Sequence, residues 1–319
     1  MAEAELKESG ITKPQRSWYF RLAVIFGFGG LGLLILVLLF VINGTVLDRA
    51  GTPEVATTSH AAAAGITNGQ PVRIVAYNIA KAFVHQGRGR FLKPQQVTDR
   101  LDRVAEVIKE LDADLVFLSE AMRDCGPCPV NQIQYLADQT GMHSWAYGEN
   151  YNVGLPFYRI AGGNGILSRW PLEGIGNLDL PGRKPFYVTK NNRRLLICSM
   201  AVADAGVLLA SMHTDSFNLE NNAAQAKLIV ESLSVQPAIC AGDFNARPDT
   251  KSLAHFRDSG RYEGKWDGPN TFPAHAPDRT IDYILAPKGW QLMEHQVVAS
   301  DASDHCAVLS VFQVGPSDL

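Results

Sequence analysis

Apolar residues follow three different patterns along this chain, and the pattern separates its parts. From Leu22 to Ile42 the run is continuous: Leu, Val, Ile, Phe and Gly without a charge. As a helix rising 1.5 Å per residue this stretch is roughly 32 Å long, about the thickness of a hydrocarbon core. Core helices are seldom apolar all round, so residues 22–42 predict a transmembrane helix. A cleaved signal peptide is the alternative; the length of the run and the lack of a nearby small-x-small site weigh against it. Lys7, Lys13, Arg16 and Arg21 precede the run, and only Arg49 follows it before Arg73. Residues 1–21 are therefore expected in the cytoplasm and the remainder outside it, a single-pass arrangement. Residues 43–70, rich in Ala, Thr and Gly, predict a flexible linker, and the folded domain is expected over 71–319.

Beyond Pro71 the rhythm alternates between strand and helix. Val72, Ile74 and Ala76 recur at period two and lead into Asn78. After Pro94, a residue suited to a first helical turn, Val97, Leu101, Val104, Ile108 and Leu111 recur at helical spacing. Leu115 to Leu118 is a short apolar strand expected to end in Ser119-Glu120, and Gln132 to Thr140 predicts a second helix. Ser144 to Pro156 is an aromatic loop or strand, and Gly162 to Ser168 predicts a glycine turn entering a strand. Leu195–Val202 and Val207–Met212, joined through Asp204, predict a hairpin whose second strand ends in His213. A helix is expected over Ala223–Leu233, a buried strand over Ala238–Ala241, and a polar loop region from there to Pro277. Strands over Thr280–Leu285 and Cys306–Phe312 complete the pattern, the second preceded by Asp304-His305. Such a mixture predicts an α/β (α+β) domain with two sheets face to face and helices outside.

Composition adds limits. The chain is 46% hydrophobic and 19% charged, enough apolar residues for a sizeable core. A net charge of −3 offers no basic surface for a long nucleic-acid backbone, although a small basic groove is compatible with it. Five cysteines are too few for a disulfide framework. Cys125-Gly-Pro-Cys128 has a redox-like spacing but lacks the surrounding βαβ pattern, leaving a small disulfide or a free loop pair.

The candidate chemistry sits where apolar runs end. Asn78, Glu120, His213, Asp243, Asn245, Asp282, Asp304 and His305 each follow or begin a predicted strand. Asp243 and Asn245 point to one side if strand geometry persists through them; an Asx-type turn is the plainer reading of that segment alone. No nucleophilic serine elbow is present. A carboxylate-rich set with two histidines suits a hard cation such as Mg²⁺ and a phosphate ester.

Asn78, Ser119-Glu120, Gly163-Asn-Gly-Ile-Leu-Ser168, His213, Gly242-Asp-Phe-Asn245, Ile281-Asp-Tyr283 and Ser303-Asp-His305 stand in one order. In that order the chain, over about Pro71 to Val314, resembles the endonuclease/exonuclease/phosphatase superfamily. The resemblance implies a four-layer α/β/β/α sandwich with two mixed β-sheets, behind one N-terminal transmembrane helix. It implies Glu120 as the main ligand of Mg²⁺ (or Mn²⁺), with Asn78 and Asp304 beside the metal. Asp243 would orient or deprotonate water, Asn245 and His213 would bind phosphate oxygens, and Asp282 would hold His305 against the phosphate. The expected activity is phosphodiester hydrolysis, of a lipid headgroup or small diester. An exported nuclease and a catalytically silent membrane-tethered binding module are the alternatives.

Overall fold

The structure, a computed structural model, describes residues 16–46, 51–203 and 205–316. Helix α1 (Arg16–Thr45) stands apart from the rest over most of its length, and its apolar segment carries no buried residue. Residues 1–15, most of the expected cytoplasmic segment, lie outside the described residues, as does Asp204 in the expected hairpin turn.

Two mixed sheets form the body of the domain. The first contains β1 (Glu54–Thr57), β2 (Pro71–Asn78), β3 (Leu115–Cys125), β4 (Ser144–Leu155), β5 (Tyr158–Ser168), β12 (Gln291–Val298) and β13 (Ala307–Gln313). Their spatial order is β1-β4-β5-β3-β2-β13-β12. The second contains β6 (Glu173–Asp179), β7 (Arg194–Val202), β8 (Ala205–His213), β9 (Ala238–Asp243), β10 (Tyr262–Gly264) and β11 (Asp282–Pro287), ordered β10-β11-β9-β8-β7-β6. Each sheet has one parallel pair, β2–β3 in the first and β8–β9 in the second. The crossover between β2 and β3 contains α2 (Pro94–Glu110), and that between β8 and β9 contains α4 (Leu219–Ser232).

Strand alternation explains the layering. On β2, Ile74 and Ala76 enter the core between the two sheets, while Val75 and Tyr77 enter the core under α2 and α3 (Gln132–Thr140). Val97, Leu101, Val104 and Ile108 of α2 are buried in that outer core, as their spacing predicts. On the far side, Ala226 and Ile229 of α4 and Leu253 and Phe256 of α5 (Lys251–Asp258) cover the second sheet. Three cores between four layers make the α/β/β/α sandwich that the residue pattern predicts.

Several segments differ from their sequence reading. Residues 51–70 are not a free tether: β1 pairs with β4, Ile66 is buried, and Arg123 makes a two-pronged ion pair with Glu54 (2.7 and 2.8 Å). Small residues here let the chain lie flat along a sheet edge, a use of Ala and Thr that composition alone does not separate from a linker. Strand β3 does not end at Ser119-Glu120 but continues through a bulge to Cys125. Gly162 to Ser168 lies wholly within β5, where the glycines admit close strand neighbours. Ser144 to Pro156 resolves mainly as β4. The polar region before Pro277 contains α5 and β10. Cys125 and Cys128 are free thiols buried in the outer core.

Candidate active site

Strand register assembles the site. In the parallel β8–β9 pair His213 is the partner of Asp243, and in the antiparallel β9–β11 pair Asp243 is the partner of Asp282. Three neighbouring strands of one sheet therefore present His213, Asp243 and Asp282 side by side at one edge. Gly242 makes this possible: its φ is +136°, and a Cβ there would meet Met212 O at 2.1 Å. The other sheet supplies Asn78 from the end of β2 and Glu120 from the β3 bulge, where its φ is +56°. The two sheets are tied at this point by Ser119, whose hydroxyl donates to Met212 O (3.0 Å).

Asp243 is the centre of the network and is buried. Asn78 Nδ2 donates to its Oδ2 (3.0 Å), and the Asn245 backbone N–H donates to its Oδ1 (2.9 Å). His213 Nε2 lies 3.3 Å from Oδ2. Burial, reinforced by the charge of Asp282, raises the Asp243 carboxyl to about 7 against the pull of His305, Asn245 and Asn78. His305 donates from Nδ1 to Asp282 (3.0 and 3.2 Å), and Thr271 Oγ1 donates to Asp282 Oδ2 (2.6 Å). Burial alone would push the His305 ring down; Asp282 and Asp243 outweigh it and raise the ring to about 10. His305 is thus a cation at neutral pH, with Nε2 3.8 Å from Asp243 Oδ2.

His213 is the opposite case. Burial, then the nearby charge of Arg193, pushes it well below its ordinary value. Arg193 donates to its Nδ1 (2.9 Å), so the neutral ring carries its proton on Nε2, facing Asp243. The same chemistry, an imidazole beside a carboxylate, is set to two charge states by what lies on its other nitrogen.

Glu120 faces a cavity of about 210 Å³ that His213, Tyr151, Arg193 and Lys81 also line. Lys81 forms an ion pair with Glu120 Oε2. Burial would raise the Glu120 carboxyl, but Lys81, then Arg193 and His305, hold it below the usual range. Lys81 sits in a rare backbone: Ala80, Lys81, Ala82 and Phe83 all have positive φ. Such a left-handed turn costs roughly 1–2 kcal/mol per residue. It is held by Ala80 N–H on Asn78 Oδ1 (3.0 Å) and by Gln132 Nε2 on Lys81 O (2.8 Å).

Of the predicted residues, Asn78, Glu120, His213, Asp243, Asp282 and His305 form one connected network. Asn245 is adjacent but does not share a face with Asp243. The strand ends at Asp243, Asn245 turns to φ +44°, and its Nδ2 donates to Thr214 O (3.2 Å). The Asx turn is realised here, by the Asn245 N–H on Asp243. Asp304 is exposed; its carboxylate accepts from Ser303 Oγ (3.4 Å) and its backbone carbonyl from Ala274 N–H (2.7 Å). Asp215 caps a turn, accepting from Phe217 and Asn218 N–H (2.7 and 2.9 Å). Lys81, Arg193 and Thr271 were not singled out from the sequence. Arg193, in Asn191-Asn-Arg-Arg194 ahead of an apolar strand, carried the one available signal, a charge about to be buried.

The donors suit a hard divalent cation. Glu120 offers its carboxylate at the cavity, where it already receives a cationic partner in Lys81, while Asn78 is buried with Oδ1 on Ala80 N–H and Nδ2 on Asp243. Among the described residues, the group that could hold an ion by proximity is Asp243, Asp282 and His305, with ligand atoms within 4.8 Å of one another. Asp282 in that group already accepts from both His305 and Thr271.

Comparison with known proteins agrees with this geometry. Residues 75–305 match the Endonuclease/Exonuclease/phosphatase family. An endonuclease/exonuclease/phosphatase from Beutenbergia cavernae superposes with a TM-score of 0.60 at 21% identity, covering 78% of this chain and 72% of that one. A humanised D. rerio TDP2 does so at 0.55 and 15%, covering 76% and 98%. A mannosyl-6-phosphatase from Bacteroides thetaiotaomicron does so at 0.53 and 16%, covering 75% and 98%. No curated protein sequence matches this chain. With the fold, the strand-end network and a family match spanning most of the folded domain in agreement, the chain belongs to the endonuclease/exonuclease/phosphatase family, whose members hydrolyse phosphate ester bonds.

Proposed function

We propose that this protein is a membrane-anchored, Mg²⁺-dependent phosphodiester hydrolase whose catalytic domain lies outside the cytoplasm. The observation that carries the reading is the buried Asp243 beside the charged His305–Asp282 pair. Asp243, raised towards neutrality, takes a proton from the attacking water. His305, held cationic by Asp282, stabilises charge growing on the phosphate oxygens. Asn78 and His213 keep Asp243 in place, and Arg193 adds a second buried positive charge. Glu120 would hold the ion, with Asn78 and Asp304 as the further candidate ligands. Bound there, Mg²⁺ supplies a Lewis acid that neutralises phosphate charge and acidifies water. General acid–base help accounts for only about 3–5 kcal/mol, so preorganised charge supplies most of the acceleration.

Two features support a substrate with an apolar portion, a lipid phosphodiester above all. A second cavity of about 420 Å³, within the range of ligand pockets, opens beside the first and shares Lys81, Tyr151, Thr189 and Lys190 with it. Phe83, Val84, Phe91, Met122 and Ile160 line it, surfaces that fit the apolar part of an ester whose phosphate sits by Glu120. The helix α1 supports retention of the anchor: its Asn43 is buried against Asn152 of the domain, a contact that cleavage of a leader would expose.

The test is hydrolysis of bis-p-nitrophenyl phosphate by the full chain in detergent, with Mg²⁺ and with EDTA. Turnover that survives EDTA, or a fully active Glu120→Ala variant, overturns the chemistry.

A further inference from the structure

The last two turns of α1 are built into the domain. Leu39 and Phe40 are half-buried, and Asn43 and Gly44 are buried. Asn43 Nδ2 donates to Asn152 Oδ1 (3.0 Å) and to Gly154 O (3.2 Å), and Asn152 Nδ2 donates back to Asn43 O (3.5 Å). The Phe40 ring lies 5.1 Å from that of Phe186 and 5.9 Å from that of Tyr187. Asn152 N–H in turn holds Phe186 O (2.9 Å).

The charge-free run ends at Ile42, so Asn43 and Gly44 meet the domain just past its end, and Phe40 meets it within the last turn of the run. No spacer separates membrane from domain. Both elements that hold the anchor also line the catalytic cavity. On β4, Asn152 meets the helix while Asn150 lines the cavity, two strand residues or about 7 Å away. In the loop 181–193, Phe186 and Tyr187 meet the helix while Thr189, Lys190 and Arg193 line the cavity.

The surface around this junction has the composition of a bilayer interface. Residues 181–194 carry no acid; Lys190 is exposed and Lys184 half-buried, while Arg193 and Arg194 are buried and Arg183 pairs with Asp179. Tyr187 is 48% exposed, and Phe157 and Tyr158, at the hairpin tip beside Gly154, are 75% and 54% exposed. Exposed aromatics with lysines match the headgroup layer, where rings sit at the boundary and cations meet anionic lipids.

We propose that the end of α1, the 181–193 loop and the Phe157–Tyr158 tip form one membrane-facing surface that presses the catalytic cavity against the headgroup layer. The site then receives phosphate esters lying in the leaflet from which α1 emerges. The substrate half of this statement rests on the proposed hydrolase activity; the surface itself does not.

The test uses the full chain in vesicles of phosphatidylcholine and phosphatidylglycerol. All five native cysteines are buried, so Phe157→Cys and Val235→Cys each give one reactive thiol for a fluorescent label. Val235 is 75% exposed and lies in the turn just before β9, beyond the end of that strand away from Asp243. Nitroxide-headgroup lipids should quench the label at 157 severalfold and leave the label at 235 unchanged. Equal quenching at both positions, or none at 157, overturns the proposal. Replacing Phe40 and Asn43 together (Phe40→Ala with Asn43→Ala) should abolish the quenching difference. The same variant should lower turnover of vesicle phosphatidylglycerol about tenfold by loss of effective concentration, while hydrolysis of soluble bis-p-nitrophenyl phosphate is kept. Equal loss on both substrates means the contact only braces the site, and also overturns the proposal. If wild type hydrolyses neither ester with Mg²⁺, the hydrolase reading fails while the quenching pattern still decides the surface.

Discussion

The two walls of the candidate site are made differently. One wall is the sheet edge: His213, Asp243 and Asp282 are fixed by strand register, with His305 against them, all buried and each joined to another by short polar contacts, and of these His213 reaches the cavity. The other wall is irregular: Lys81 on a left-handed turn, and Thr189 to Arg193 on the loop that meets α1. The first wall is a preorganised charge pattern and cannot move without breaking sheet pairing. The second carries half-exposed Lys81, exposed Lys190 and buried Arg193 on irregular backbone, which the Asn192 side chain braces through Lys184, Pro185 and Val188 O. The contrast teaches a division of labour in the proposed hydrolase: the sheet edge would set the chemistry, and the loops what is admitted and where the site faces.

Substitutions can break that contrast, and the largest effects are expected on the sheet side. His305→Ala should lower kcat roughly 10²–10⁴-fold on bis-p-nitrophenyl phosphate, measured at saturating Mg²⁺. Asp282→Asn should follow with a smaller loss, because it acts through His305; a loss as large as that of His305→Ala would mean Asp282 meets the metal or substrate directly. Its pH profile sharpens the point. The active state pairs ionised Asp243 with protonated His305. Activity should therefore rise as pH climbs through about 7, where Asp243 gives up its proton, and fall as it climbs through about 10, where His305 does. In Asp282→Asn the upper limb should move to lower pH, because the carboxylate that raises His305 is gone, and the lower limb should move down too, because Asp282 also raises Asp243.

On the loop side, Lys81→Met should leave kcat nearly intact and tighten Mg²⁺ binding about fivefold by calorimetry, equivalent to the ~1 kcal/mol of a half-exposed ion pair. Weaker metal binding in this variant would place Lys81 on the side of the ion rather than in competition with it. Smallest in chemistry is deletion of residues 51–70, which carry β1 and Ile66. It should lower the melting temperature by about 5–10 °C while the surviving folded fraction keeps its turnover. An unchanged melting temperature would restore the flexible-tether reading of this stretch.

The legible parts of this molecule were those with a local period. The stripe Val97–Leu101–Val104–Ile108 announces α2, and the apolar runs ahead of His213 and Asp243 and behind His305 announce the strands beside them. The edge elements were hard to read. Strand β12 alternates weakly and is half-exposed, β10 is short, and β1 is written in Ala, Thr and Val that serve a linker equally well. Lys81 and Arg193 left almost no trace, because nothing local marks which basic residue will face a carboxylate distant in sequence.

The amino-acid order by itself settled which chemical groups stand at strand ends, and that one apolar helix precedes them, because both follow from near-neighbour periodicity. Three-dimensional packing alone decided their states. Two imidazoles in one site became a cation and a neutral ring, because Asp282 flanks His305 while Arg193 flanks His213. Likewise, residues 51–70 became a sheet edge and the end of α1 became part of the domain, because β4 offered both an unpaired edge and Asn152. Charge state depends on partners 20 and 23 residues away on neighbouring elements, and docking on a partner 109 residues away, beyond the reach of any local period along the chain.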